Sequence, residues 1–187
     1  MVFNFNLCRS WIQLASEDYF TAIDAIAASR RGIAVYHVQQ SVEKLCKGLL
    51  AFFGREPRAN HFPSGELSEL LRESDLIAES AENQNEGELS AEKTGNSVLL
   101  LKNKTQILEI VLLARSIEDE MTRPRYGIRH ASGIVLPQEI YTDEQVSSFL
   151  EDLRQIAKCI HDIFSNTEII EAAELIGEIQ SFLQEEN

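Results

Sequence analysis

Apolar residues recur at helical spacing along most of this chain. Between residues 7 and 29, Ile12, Ala15, Tyr19, Ile23 and Ile26 form a stripe with the period of an amphipathic helix, and Trp11 and Leu14 widen it. Arg30-Arg31-Gly32 interrupts the pattern. A second helix then runs to Phe53, with Val35, Val38, Val42, Leu45, Leu49 and Phe52 three or four positions apart. Gly54 supplies a left-handed cap and Pro57 prevents a restart. A short helix is expected over residues 66–78, N-capped by Ser64 and lined by Leu67, Leu70, Leu71 and Leu76. From Glu79 to Asn96, Glu, Asn, Gln, Gly and Ser displace apolar residues, leaving too little hydrophobic surface to offset the entropy of ordering. That segment, 79–96, is expected to be a mobile acidic loop.

The helical pattern returns from Ser97 to about Met121 through Leu101, Leu108, Val111, Leu112 and Ile117. Arg123-Pro124-Arg125-Tyr126-Gly127 ends it, and an irregular stretch is expected as far as Tyr141. Thr142-Asp143-Glu144-Gln145 is a capping box, in which the Thr hydroxyl and the Gln side chain satisfy free backbone donors reciprocally. The helix behind it carries Val146, Phe149, Leu150, Leu153, Ile156, Ala157, Ile160 and Phe164 on one side. After Ser165-Asn166-Thr167 a last acidic helix places Ile169, Ala173, Ile176, Ile179 and Leu183 together. Long amphipathic helices joined by turns bury their stripes most simply as an up-and-down bundle. The fold class predicted is therefore all-α: four long helices, a short one, and a C-terminal acidic helix. Residues 1–165 are expected to form the bundle, with 166–187 packed on it or on a partner.

The length of 187 residues suits one domain. Four prolines and nine glycines are too few turn formers for a many-stranded β architecture. Three widely spaced cysteines, Cys8, Cys46 and Cys159, form no Cys-x-x-Cys pair, which disfavours zinc ribbons and thioredoxin-type chemistry and suggests buried thiols in a reducing compartment. Neither a leader-like N-terminus nor a long uninterrupted apolar run is evident, so a cytoplasmic protein with no membrane contact is expected.

The formal charge of −13 is unevenly spread. Residues 30–61 sum to +4 and 101–130 to +2, while 62–97 sum to −7 and 139–187 to −10. An acidic chain repels nucleic acid at long range, so broad DNA binding is not expected and any RNA contact falls to the two basic blocks. One of these blocks contains Gln39-Gln40-Ser41-Val42-Glu43-Lys44-Leu45-Cys46-Lys47, which interleaves polar residues with a full apolar stripe. Glu43 stands one turn before Lys47, so an ion pair within the helix is available. The plain reading of these residues is a solvated face carrying an ordinary salt bridge; the sharper one is a site. His37 and His61 lack the paired spacing of a di-iron bundle, and no metal or cofactor is expected. No Gly-rich phosphate loop or nucleophile elbow is present.

Tyr36, Gln39, Gln40, Ser41, Glu43, Lys44 and Lys47, followed by Gly54 and His61 and later by Arg125-Tyr126, occur in the order seen in one family. Over residues 7–164 the chain resembles a HEPN domain, the helical module of minimal-nucleotidyltransferase-associated and toxin-antitoxin systems. Phe62-Pro63 departs from the family's usual residues after the His. The resemblance implies a homodimer and a nucleotidyltransferase partner. It also implies a cleft for nucleotide, RNA or a partner protein, lined by Tyr36, Gln40, Glu43, Lys44, Lys47, His61, Arg125 and Tyr126. Catalytic members of the wider group cut RNA without metal, using an Arg and a His separated by four to six residues. Arg125 and His130, with four residues between them, are the matching pair. Imidazole moves protons near neutrality and guanidinium holds phosphate bidentately, which suits that chemistry. A non-catalytic helical adaptor is the third reading.

Overall fold

The computed structural model describes residues 3–83, 98–120 and 123–184; the side chains of 77–83, Arg125 and His130 fall outside the description. Helix α1 (Phe5–Ala27) turns back into α2 (Arg31–Phe52) through residues 28–30. Ser29, at φ 55°, makes the reversal, while Arg30 N–H reaches the Ala25 carbonyl at 2.7 Å in a left-handed closing turn. Gly54 closes α2 in the same manner, at φ 75°, with Arg55 N–H on the Leu50 carbonyl at 2.9 Å. Asn4 N–H on the Ala51 carbonyl ties the start of α1 to the end of α2, so the two helices run antiparallel.

Helix α3 spans Pro63–Asn83 and α4 spans Lys104–Glu118, and both depart from the sequence reading. The third helix is longer than its apolar stripe because Glu and Ala, good helix formers, carry the backbone on after the leucines end. Residues 79–83, expected in the acidic loop, are therefore helical; 84–96 lie outside the described residues. The expected long helix over 97–121 is instead broken at Asn103. Its side-chain amide donates to the Leu99 carbonyl at 2.9 Å, in competition with the backbone, and residues 98–102 form a separate helical turn. The buried side of α4 is Ile107, Ile110, Val111, Ala114 and Ile117, while Leu108 and Leu112, expected on it, are exposed.

The stretch expected to be irregular up to Tyr141 has structure. It holds a four-residue helix α5 (Arg123–Tyr126), an antiparallel pair β1 (Ile128–His130) and β2 (Gly133–Val135), and a short α6 (Pro137–Ile140). Register pairs Ile128 with Val135, Arg129 with Ile134 and His130 with Gly133. Gly127 enters the hairpin at φ 71°, where a Cβ would lie 2.1 Å from the Val135 carbonyl oxygen. Helices α5 and α6 both pack on α2. Gly32 permits the second contact, since a Cβ there would meet Pro137 Cβ at 2.4 Å.

Helix α7 (Asp143–Ser165) begins with the expected capping box: Thr142 N–H donates to the Gln145 side chain at 2.9 Å, and Gln145 N–H to the Thr142 hydroxyl at 3.2 Å. Helix α8 (Ala172–Gln180) lies on α7 and α1. Its inner residues are Ala172, Leu175 and Ile179, continued by Phe182; of the expected stripe Ile169, Ile176, Ile179 and Leu183 lie in or against the core, while Ala173 is exposed.

These helices form an all-α bundle around one main core. Phe52 sits at its centre with ring centroids 4.7 Å from Phe164, 5.2 Å from Phe53 and 5.3 Å from Phe3. A smaller cluster of Ala25, Ala34, Val35, Tyr141 and Val146 closes the end where α6 enters. No described helix is long and apolar enough to cross a membrane.

Phe52→Ala is expected to cost about 3–5 kcal/mol, the range for emptying a buried aromatic site, as read by urea denaturation. Gly127→Ala is expected to loosen the hairpin while leaving the helical circular dichroism intact, with faster amide exchange confined to residues 126–136 as its signature.

Candidate functional site

Helix α2 is apolar enough to be central, so a carboxylate on it needs local partners. Glu43 is 8 % exposed and Lys47 6 %. Their spacing brings Lys47 Nζ to 2.7 Å from Glu43 Oε1. The other carboxylate oxygen, Oε2, lies 2.9 Å from His61 Nδ1 and 3.5 Å from Gln40 Nε2. The solvated-face reading is thus corrected: this pair is enclosed, and Lys47 Nζ lies 5.2 Å from the centre of the Trp11 ring, which covers it. A carboxylate paired with an ammonium only accepts, so Nδ1 of His61 is the donor in this contact and Nε2 is not engaged by Glu43. The imidazole side chain is 58 % exposed. The arrangement is a buried carboxylate holding one ring nitrogen while the other faces outward, suited to proton transfer or to hydrogen bonding with a ligand.

The same pattern recurs between α1 and α2. Asp18 Oδ1 lies 2.7 Å from His37 Nδ1, and Oδ2 accepts from Lys44 Nζ. Lys44 therefore belongs to Asp18 and not to the Glu43 cluster, because on the helix it turns toward α1. Tyr36 packs edge-on against His37, with centroids 5.0 Å apart. Sequence reasoning missed Asp18 altogether. Its signal was present in His37 and Lys44, seven residues apart on one face and in need of a common anion.

Beneath Glu43, the start of α3 meets the end of α4. Glu118, 5 % exposed, accepts from Ser64 N–H at 3.0 Å and from the Ser64 hydroxyl. Ser64 thus lies next to a carboxylate that the sequence reading did not single out. Burial pushes the Glu118 carboxyl above its ordinary range, against the lowering effect of both Ser64 bonds. Cys46 is fully buried, and burial, with Glu118 and Glu43 adding negative charge, pushes its thiol well up.

Arg125 lies on α5, which packs on α2, and His130 ends β1; the Gly127 turn separates them. Their side chains are outside the described residues. Tyr126 on α5 is 69 % exposed and faces solvent. Of the expected cleft, then, the structure joins Gln40, Glu43, Lys47 and His61, assigns Lys44 and Tyr36 to the neighbouring Asp18 cluster, and leaves Tyr126 outward. Among the described residues no group of three or more His, Cys, Asp or Glu side chains is placed to hold a metal ion.

The architecture is an antiparallel helical bundle whose central helix contributes to two carboxylate-centred polar clusters. The sequence model of the HEPN domain matches residues 8–163, from the first buried residue of α1 to the end of α7. The chain belongs to the HEPN domain family. It is also 25 % identical over 160 residues to a protein of Methanocaldococcus jannaschii named "Putative toxin MJ1304", covering 86 % of this chain and 90 % of that one. No solved structure matches.

Lys47→Ala leaves a buried carboxylate without its ammonium and is expected to cost about 3 kcal/mol or more; a Glu43→Gln, Lys47→Met double variant should lose clearly less than the two single variants summed, measured by a urea double-mutant cycle. Glu118 has a pKa raised by folding, so its contribution favours the folded state at acid pH and is lost as pH rises through the raised value. Glu118→Gln should therefore lessen any fall in stability as pH rises above the ordinary carboxylate range, and unchanged pH slopes would rule this out.

Proposed function

We propose that this protein is a toxin-type HEPN protein, acting as a homodimer with a minimal nucleotidyltransferase partner that modifies or restrains it. Membership of the family and similarity over most of both chains to the protein named "Putative toxin MJ1304" support the reading. The observation that carries the site is the enclosed Glu43–Lys47 pair presenting the exposed His61 imidazole. A buried ion pair is weak evidence for stability, and hydrophobic residues of similar volume often serve as well, so its presence on a central helix argues for a role at the surface it supports. In this reading His61, backed by Glu43, Lys47 and Gln40, borders a cleft that takes a nucleotide or an RNA-related group. Arg125, on α5 packed against α2, is the cation this reading assigns to it.

A second reading is favoured by the Arg125 to His130 spacing: a metal-independent ribonuclease in which the guanidinium holds the scissile phosphate and the imidazole moves the proton. The non-catalytic adaptor remains the third.

Expression in a bacterial host separates them. The toxin reading expects growth arrest that is relieved by co-expressing a nucleotidyltransferase encoded beside this gene. If RNA cleavage is the activity, His130→Ala removes both the arrest and magnesium-independent degradation of RNA by the purified protein. His61→Ala is expected to weaken either effect by about tenfold or more without unfolding the bundle. Absence of arrest, of cleavage and of partner binding leaves the adaptor.

A further inference from the structure

Residues 139–187 sum to a charge of −10, and their only two basic side chains are Arg154 and Lys158. Both line one groove of about 530 Å³, formed where α1, α7 and the turn after α8 meet. Ile26, Leu150 and Leu183 give it an apolar wall, and Glu151 stands on its rim. The volume falls within the range of sites for small organic molecules. No residue of the groove belongs to the Glu43 or Asp18 clusters.

The two cations are held in different ways. Arg154 directs Nε and Nη2 onto the buried Tyr19 hydroxyl at 3.3 and 3.2 Å, which fixes the guanidinium plane and leaves Nη1 uncommitted. Lys158, one helical turn on, is exposed and makes no ion pair or hydrogen bond among the described residues. Like charges at this spacing repel each other, and among the described residues neither has a carboxylate at ion-pair distance. An anion lying between them relieves that repulsion, and an aliphatic body attached to it covers the wall beside them.

We propose that this groove binds an amphipathic carboxylate, its head group between Arg154 and Lys158 and its hydrocarbon chain against Ile26, Leu150 and Leu183. Glu151 on the rim disfavours a ligand carrying a second anionic end. Octanoate is the probe, with 1-octanol and acetate as the uncharged and chainless controls, titrated into the full chain and followed by amide chemical shifts.

Octanoate is expected to give saturable shifts at residues 26, 150–158 and 183, with 1-octanol binding about tenfold more weakly and acetate not at all. Lys158→Glu, on an exposed position that leaves the core untouched, should weaken octanoate by about tenfold at unchanged helicity and melting temperature. Shifts confined to other residues would overturn the proposal. So would equal binding of 1-octanol, or unaltered binding by Lys158→Glu. An acidic peptide that occupied the groove where octanoate did not would also overturn it, and would identify a protein segment as the occupant.

Discussion

The enclosure of α2 is the constraint from which the rest of the molecule follows. Sixteen of its twenty-two residues are buried, and α1, α3, α4, α5, α6 and α7 all touch it. A helix covered this completely has little solvent to satisfy its polar side chains, so most find a protein partner, although the buried Gln39 Oε1 has none among the described residues. Ser41 donates to the Ala15 carbonyl at 2.9 Å across the α1 contact, Lys44 finds Asp18, and Glu43 and Lys47 find each other. Close approach is equally demanding: at Gly32 a Cβ would stand 2.4 Å from Pro137 Cβ. The polar residues and glycines of α2 are consequences of one fact, that the bundle is built around it.

The two carboxylate-centred clusters show how similar chemistry takes different roles through exposure. In both, an acidic side chain stands between one ammonium and one imidazole. The His37 side chain is only 23 % exposed and helps to close α1 onto α2, whereas the His61 side chain is 58 % exposed. Asp18 joins two helices; Glu43 holds a ring belonging to the loop ahead of α3. The first cluster is chiefly a fastening, and the second has a face left over for another molecule.

Much of the fold was legible because its signals are local and repeated. The Val35 to Phe52 stripe, the Gly54 cap and the Thr142 box each depend on residues within a turn or two, and the structure realises each of them. What was not legible depends on contacts between distant residues. Leu108 and Leu112 belong to the helical period of α4 as well as Ile107 and Val111 do, and only the placement of α3, α2 and α7 decides which side is covered. The hairpin at 128–135 has three-residue strands, too short for alternation to register, and it relies on a glycine approaching a carbonyl. For the site, helical spacing gave Glu43 with Lys47, but Asp18 and Glu118 were out of reach, since each meets its partners from a different element.

The three cysteines bear on how the protein endures oxidants. Cys8, Cys46 and Cys159 are all free and buried. Burial pushes every one of these thiols up, Cys159 to about 12 with Glu109 adding to the effect. The nucleophilic species is the thiolate, and in the closed protein almost none of it forms at neutral pH. Peroxides and alkylating agents therefore meet these sulfurs only in moments when helices part, so their rate of modification measures how often each part of the bundle opens. Cys46, deepest of the three and flanked by Glu43 and Glu118, would time the opening of the junction beneath the His61 site.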